Sequence, residues 1–241
     1  MLSEGKNLTA ANQNEGRFTV RLKFKKVGNL QYISHLDLQR TFNRVIKRAG
    51  IPVWYTKGFN PHMKLVFSSP LSIGSESICE YLDLSMQGDI SCSEIMERLN
   101  RELTDELCIV DAYVAERKFI DIAWADYTCE IFCYGASDKL ASDAQKLFST
   151  SPLNMIKSTK SGEKEIDIVS LIKKITVSFD EPRGVLVIKA RLCATSTNFL
   201  NPEMLVSAMK RELGILSGDP SREWYTIMRE ALLDEKEELF I

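Results

Sequence analysis

The chain has 241 residues, 44% apolar and 27% charged, with a net charge of −2, which is ordinary for a globular protein holding one large core or two domains of about 110 residues. No stretch approaches the roughly twenty apolar residues of a membrane span, and the opening MLSEGKNLTAANQNEG has no secretory apolar run, so a cytoplasmic protein with a disordered tail at 1–16 and no membrane partner is expected. Six cysteines, without CxxC pairs, a CxxxCxxC triplet or nearby histidines, read as reduced structural thiols and exclude the common metal-binding spacings.

From Arg17 to Lys26 the sequence alternates strictly: Phe18, Val20, Leu22 and Phe24 on one face, Thr19, Arg21, Lys23 and Lys25 on the other. This predicts a half-buried strand with a cationic outer face. Gly28-Asn29 turns the chain, and Ser34 with Asp37 three residues on forms a capping box. The helix it opens buries Leu38, Phe42, Val45, Ile46 and Ala49, closes at Gly50, and carries Arg40, Arg44, Lys47 and Arg48 on its other side. Strands are predicted at Ile51–Lys57 and Ile78–Met86, a helix at Ser91–Leu103 and a strand at Cys108–Ala115, with GFNPHMKLVFSSPLSIGSES (58–77) as an elaborated connection. That is the βαββαβ order of a ferredoxin-like unit.

A linker is expected at Lys118–Asp126, followed by a second round: strand Tyr127–Tyr134, helix Asp138–Phe148 and strand Leu153–Ser158. A hairpin near Ser161-Gly162 follows, then strands around Ile166–Leu171, Ile175–Phe179 and Val185–Cys193. Asn201-Pro202 opens a helix through Leu213, and a last helix is predicted at about Arg222–Leu233. The expected architecture is α+β: two ferredoxin-like units at 17–117 and 118–241, with antiparallel sheets and helices on one face of each. Cys129, Ile131 and Cys133 share one strand face and read as core.

Charge is unevenly spread. Between Arg17 and Ser68 eleven Lys or Arg stand against the single acid Asp37, giving +10 and leaving −12 for the rest of the chain. Such a block points to a polyanionic partner, RNA first, gripped at its phosphates by Arg21, Lys23, Lys25, Arg40, Arg44, Lys47 and Arg48.

No GxGxxG, P-loop, HExxH, GxSxG or CxxC is present, so the familiar cofactor and nucleophile signatures are missing and no cofactor is expected. Catalysis, if any, falls to His35, His62 and Glu80. His35 sits in the first turn of the basic helix, where the dipole favours a neutral ring: a base, a hydrogen-bond acceptor, a metal ligand, or a ring packed beside the cap. His62 follows Asn60-Pro61, whose proline extends Asn60 and fixes the turn. In ICEYLDLSM (78–86) an unbroken strand aims Glu80 at the core with Ile78, Leu82, Leu84 and Met86, which demands a bulge, an edge or a partner such as Arg, Lys or His. Asn60, His62 and Glu80 are therefore expected to shape a pocket beside the basic helix. A hard-metal site from His62, Glu76, Glu80 and Asp83 matches no standard loop, and no metal is expected.

YISHLDLQR (32–40) and GFNPHMKLVFSSPLSIGSESICEYLD (58–83) closely resemble the radical-SAM-linked proteins, a bacterial domain of unknown function fused to, or encoded beside, radical SAM proteins. The match is specific over about 17–115 and vaguer beyond. Members often have proline after the histidine where Met63 stands here. The resemblance implies a stand-alone member working with a radical SAM partner, and it supplies no reaction. The expected function is an accessory protein that binds tRNA or rRNA and presents it to that partner. Two alternatives stay open: a metal-independent ribonuclease or phosphoryl-transfer enzyme using His35 and His62 as acid and base within about 8 Å of each other, by analogy to CRISPR repeat-processing ribonucleases, and an interaction module docking an acidic protein.

Overall fold

A computed structural model describes residues 17–159 and 162–241. The predicted tail at 1–16 and the Ser161 side of the predicted hairpin lie outside them. The strands are β1 (Arg17–Lys26), β2 (Leu65–Phe67), β3 (Ser75–Gln87), β4 (Leu107–Val114), β5 (Trp124–Phe132), β6 (Asn154–Thr159), β7 (Gly162–Asp167), β8 (Ile172–Asp180), β9 (Val185–Cys193) and β10 (Trp224–Leu233). The helices are α1 (His35–Arg48), α2 (Cys92–Asn100), α3 (Asp138–Ser149) and α4 (Glu203–Leu213).

One large, mostly antiparallel sheet runs β4-β1-β3-β10-β5-β9-β8, with β2 also paired to β3 and β6-β7 forming a separate hairpin. Two separate sheets were the expectation. Their merger is made by the parallel pairing of β3 and β10, with Ser75, Ser77 and their neighbours set against Ile227 to Arg229. The expected helix at Arg222–Leu233 is therefore wrong: WYTIMREALL is β10, hydrogen-bonded on both sides. Its Met, Glu, Ala and Leu content favours a helix only weakly, and two strand neighbours outweigh that preference.

Three smaller expectations also change. Ile51–Lys57 forms only isolated bridges, Val53 to Met86 and Tyr55 to Met63, because Pro52 has no donor for a ladder and Gly58 turns the chain away. The predicted linker at Lys118–Asp126 contains a single 3-10 turn, Phe119–Asp121, and then the start of β5. The strand around Ile166–Leu171 ends at Asp167 and becomes a 3-10 turn.

α1 starts as its cap predicts: the Ser34 hydroxyl accepts from the Asp37 amide at 3.1 Å and donates to the Asp37 carboxylate at 2.7 Å. Its apolar face and that of α2 close a core over Val20, Leu22, Phe24, Leu82, Leu84 and Met86. α3 and α4 close a second core over Tyr127, Cys129, Ile131 and Ile188.

A bulge in β3 decides which residues face inward. Phe24 lies opposite Glu80, but two residues along β1 Lys26 lies opposite Ser77. The extra β3 residue flips the alternation there. Ile78, which simple parity sends to the core, is thus 46% exposed, whereas Glu80 is 6% exposed.

Candidate functional site

Glu80 does face inward, and its partner comes from the far end of the chain. Arg229 on β10 donates to Glu80 Oε1 at 2.9 Å, to the Tyr127 hydroxyl at 2.9 Å, and to the backbone oxygens of Ser69 at 3.1 Å and Pro70 at 2.8 Å. The arginine is wholly buried. Burial is the largest influence and works against its charge, but the Glu80 carboxylate, Tyr127 and Cys79 together outweigh it, so the guanidinium titrates above its ordinary value. Burial likewise raises the Tyr127 phenol and pushes the neighbouring Cys79 thiol up to about 12.

Lys26 joins this cluster. It is 3% exposed, and its ammonium donates to the Leu30 and Gln31 carbonyls. Burial draws its pKa below the usual lysine range, with Glu80 pulling the other way. Two buried cations and Glu80 therefore share one polar seam between the two cores, and Glu76, accepting from the Gly28 amide, adds a second carboxylate near Lys26.

The family-like stretch 58–77 divides around this seam. Residues 58–62 form an exposed loop in which His62 Nδ1 lies 3.2 Å from the Asn60 oxygen and 3.1 Å from the Thr56 hydroxyl. Ser69 and Pro70 instead lie on the seam, with their carbonyls clamped by Arg229. A small cleft lined by His35, Lys26, Ser34, Phe67 and Glu80 opens on one side of the Ser69-Pro70 wall. On the other side is a pocket of about 420 Å³, formed by residues 68–70, Phe119, Ile120 and Ile122, and by Ala194, Thr195, Ser196 and Phe199 after β9.

The predicted site residues thus separate. His35 is exposed, with its ring edge-on to Phe67 at 5.0 Å between centroids, and it shares a cleft with Glu80. Asn60 and His62 do not line that cleft, so the expected pocket of Asn60, His62 and Glu80 does not form. His62 sits instead in the exposed 58–62 loop, held by Thr56 and Asn60, and is not part of the cleft that His35 lines. The four residues considered for a hard metal are held apart by different partners: Thr56 for His62, Gly28 for Glu76, Arg229 for Glu80 and Arg21 for Asp83.

Arg21 is the clearest correction. Instead of facing solvent it is wholly buried. It makes a two-pronged ion pair with Asp83 at 2.7 and 2.8 Å, donates to the Arg117 carbonyl, and lies 4.3 Å from the Phe119 ring centre and 4.9 Å from that of Phe240. The outer face of β1 is roofed there by segments nearly a hundred and more than two hundred residues away in sequence. Lys23 and Lys25 remain only half-exposed. The α1 cations behave as expected: Arg40, Arg44, Lys47 and Arg48 are all exposed, with Arg40 paired to Asp37 and Arg48 to Glu102.

Sequence reasoning missed Arg229, Lys26 and the 420 Å³ pocket. Arg229 had one available signal, an arginine sharing parity with Ile227 in an alternating reading of WYTIMREALL. The pocket had none, because its three walls come from segments about fifty to seventy-five residues apart.

A family model described as "Uncharacterized protein conserved in bacteria (DUF2344)" matches residues 19–202. The chain belongs to this family. The matched residues run from β1 to the start of α4 and include Lys26, Glu80 and the Ser69-Pro70 wall; β10 with Arg229 follows them. No curated protein matches the chain. Among solved structures, an unknown protein from Galdieria sulphuraria is 8% identical, covering 88% of this chain and 98% of its own at a TM-score of 0.27. DyPB from Rhodococcus jostii RHA1 is 10% identical, covering 89% and 93% at a TM-score of 0.20. At these TM-scores neither bears on fold or function. Among the described residues no helix is long and apolar enough to cross a membrane, and no group of three or more His, Cys, Asp or Glu is placed to hold a metal ion.

Proposed function

We propose that this protein binds RNA, of the tRNA or rRNA kind, along the outer stripe of α1 and presents it to a radical SAM partner enzyme. The observation that carries the binding reading is what remains of the basic block after folding. Arg21 and Lys26 are consumed inside, yet Arg40, Arg44, Lys47, Arg48, Lys57 and Lys64 stay exposed. Four of them fall at i, i+4, i+7 and i+8 of one helix, a row spaced to follow a phosphate backbone. The exposed Asp37–Arg40 pair is weak enough to open for a phosphate. The radical SAM partner rests on the resemblance of residues 32–40 and 58–83 alone.

The domain reading supports the same division of labour. We take 17–117 and 118–241 as two ferredoxin-like units, the first carrying the RNA-facing helix. In its favour, the first four-strand set runs β4-β1-β3-β2 and the second β10-β5-β9-β8, which is one strand order used twice.

The test is a salt titration of binding to a short single-stranded RNA with wild type and with Arg40→Gln/Arg44→Gln/Lys47→Gln. At about 0.7 per phosphate contact, the triple variant's log-affinity against log-salt slope is shallower by about two. Equal slopes and affinities for the two proteins sink the proposal.

A further inference from the structure

The pocket behind the Ser69-Pro70 wall has no charged side chain in its lining, although the chain is 27% charged. A phosphate, carboxylate or ammonium brought there would lose its water and meet no counter-charge, so charged ligands are disfavoured. What the lining does offer is two aromatic rings, Phe119 and Phe199, together with the hydroxyls of Ser69 and Ser196. Apolar walls with a few hydroxyls suit a neutral flat ring that carries donors and acceptors on its rim. At about 420 Å³, the pocket lies within the usual range of small-ligand sites, roughly 300–1,000 Å³.

We infer that this pocket receives a single unstacked nucleobase from the bound RNA. The inference rests on the RNA-binding reading and deepens it. Ser69 and Pro70 form both the floor of the cleft at the start of α1 and one wall of the pocket, so a strand crossing that wall has its backbone toward α1 and a base directed to the far side. The wall is rigid because Arg229 holds both of its carbonyls. Base–aromatic stacking supplies the affinity and accepts any base, and the serine hydroxyls add the polar contacts.

The experiment uses the full chain and twelve-nucleotide oligoadenylates bearing a 5′ fluorophore for anisotropy, with 2-aminopurine placed at each position in turn. The expected result is that one position changes its 2-aminopurine fluorescence on binding and that removing the base there weakens binding about tenfold, the size of one stack. Ser196→Trp, a change at an exposed residue on the pocket rim, should abolish that fluorescence change and weaken the intact strand about tenfold while leaving the abasic strand unaffected. If salt-dependent binding persists but no position responds, or if Ser196→Trp binds like wild type, the base pocket is overturned and the α1 reading stands. Such a result would leave an aromatic side chain of a partner protein as the occupant to examine. If no salt-dependent RNA binding occurs, both fall together.

Discussion

Replacing Arg229 with methionine removes a cation that serves four acceptors at once. The substitution keeps a long flexible side chain in the space, so packing loss is small beside the polar loss. Glu80, with its side chain 7% exposed, loses the only cation hydrogen-bonded to it among the described residues and keeps Lys26 alone as a counter-charge in the seam, and breaking such a pair costs about 3–5 kcal/mol. The Ser69 and Pro70 carbonyls and the Tyr127 hydroxyl lose their donor as well, each worth about 1 kcal/mol and overlapping with the main effect. A total near 5 kcal/mol is a large part of the roughly 5–15 kcal/mol that holds most domains folded. Urea unfolding followed through tryptophan fluorescence measures it, with Trp54 in the first half and Trp124 and Trp224 in the second. Adding Glu80→Leu to Arg229→Met should recover about half the loss, because the stranded charge then disappears while the two carbonyls remain without a donor. A loss below about 1 kcal/mol in the single variant, or no recovery in the double, would refute the assignment of Glu80 and Arg229 as an interdependent pair.

Arg21→Met should destabilise by about 3 kcal/mol, since it leaves the largely buried Asp83 carboxylate without its arginine, yet leave the salt slope of the proposed RNA binding unchanged; a shallower slope would return Arg21 to the proposed binding surface. In native protein at pH 8.5, Cys79 and Cys129, both pushed up to about 12 by burial, should resist alkylation and become labelled only after denaturant is added, and prompt labelling of either would contradict their burial. Asp167 is held below the ordinary carboxyl value of 3.8 by the Ser151 hydroxyl and the Leu153 and Val169 amides. Its folded-state pKa is the lower one, so its contribution is present above that ordinary value and fades as pH falls through the folded value. Asp167→Asn should therefore flatten the acid limb of stability below about pH 4, measured by thermal melts, and an unchanged limb would count against the three hydrogen bonds.

Local signals in the sequence were read well where neighbours in the chain decide the outcome. The alternation of β1 and the Ser34-Asp37 cap both appear where their spacing puts them, because strand parity and a cap need only a few adjacent residues. Glu80 lies between the local and the distant. Its parity correctly demanded a buried partner, but parity cannot name an arginine 149 residues away, and it misplaced Ile78 because a bulge leaves no mark in an otherwise regular pattern. For Arg21 the alternation identified the face opposite α1 and α2, and a face away from helices was taken for a face toward water. Residues 117–121 and Phe240 cover it, which only the finished fold reveals. β10 was read as a helix for a related reason: its strand state comes from β3 and β5 on either side rather than from its own residues.

The seam between β3 and β10 also bears on the order in which the molecule is made. β10 is translated after β1 to β9, yet it inserts into the middle of the sheet, beside a strand synthesised about 150 residues earlier. At a synthesis rate of roughly 5–20 residues per second, the first half waits on the order of ten seconds with the Ser75–Ser77 stretch of β3 unpaired on the side that β10 takes and Glu80 without its arginine. During that interval the nascent edge is open to any other extended segment. A chaperone acting on this protein during synthesis would find its first foothold there.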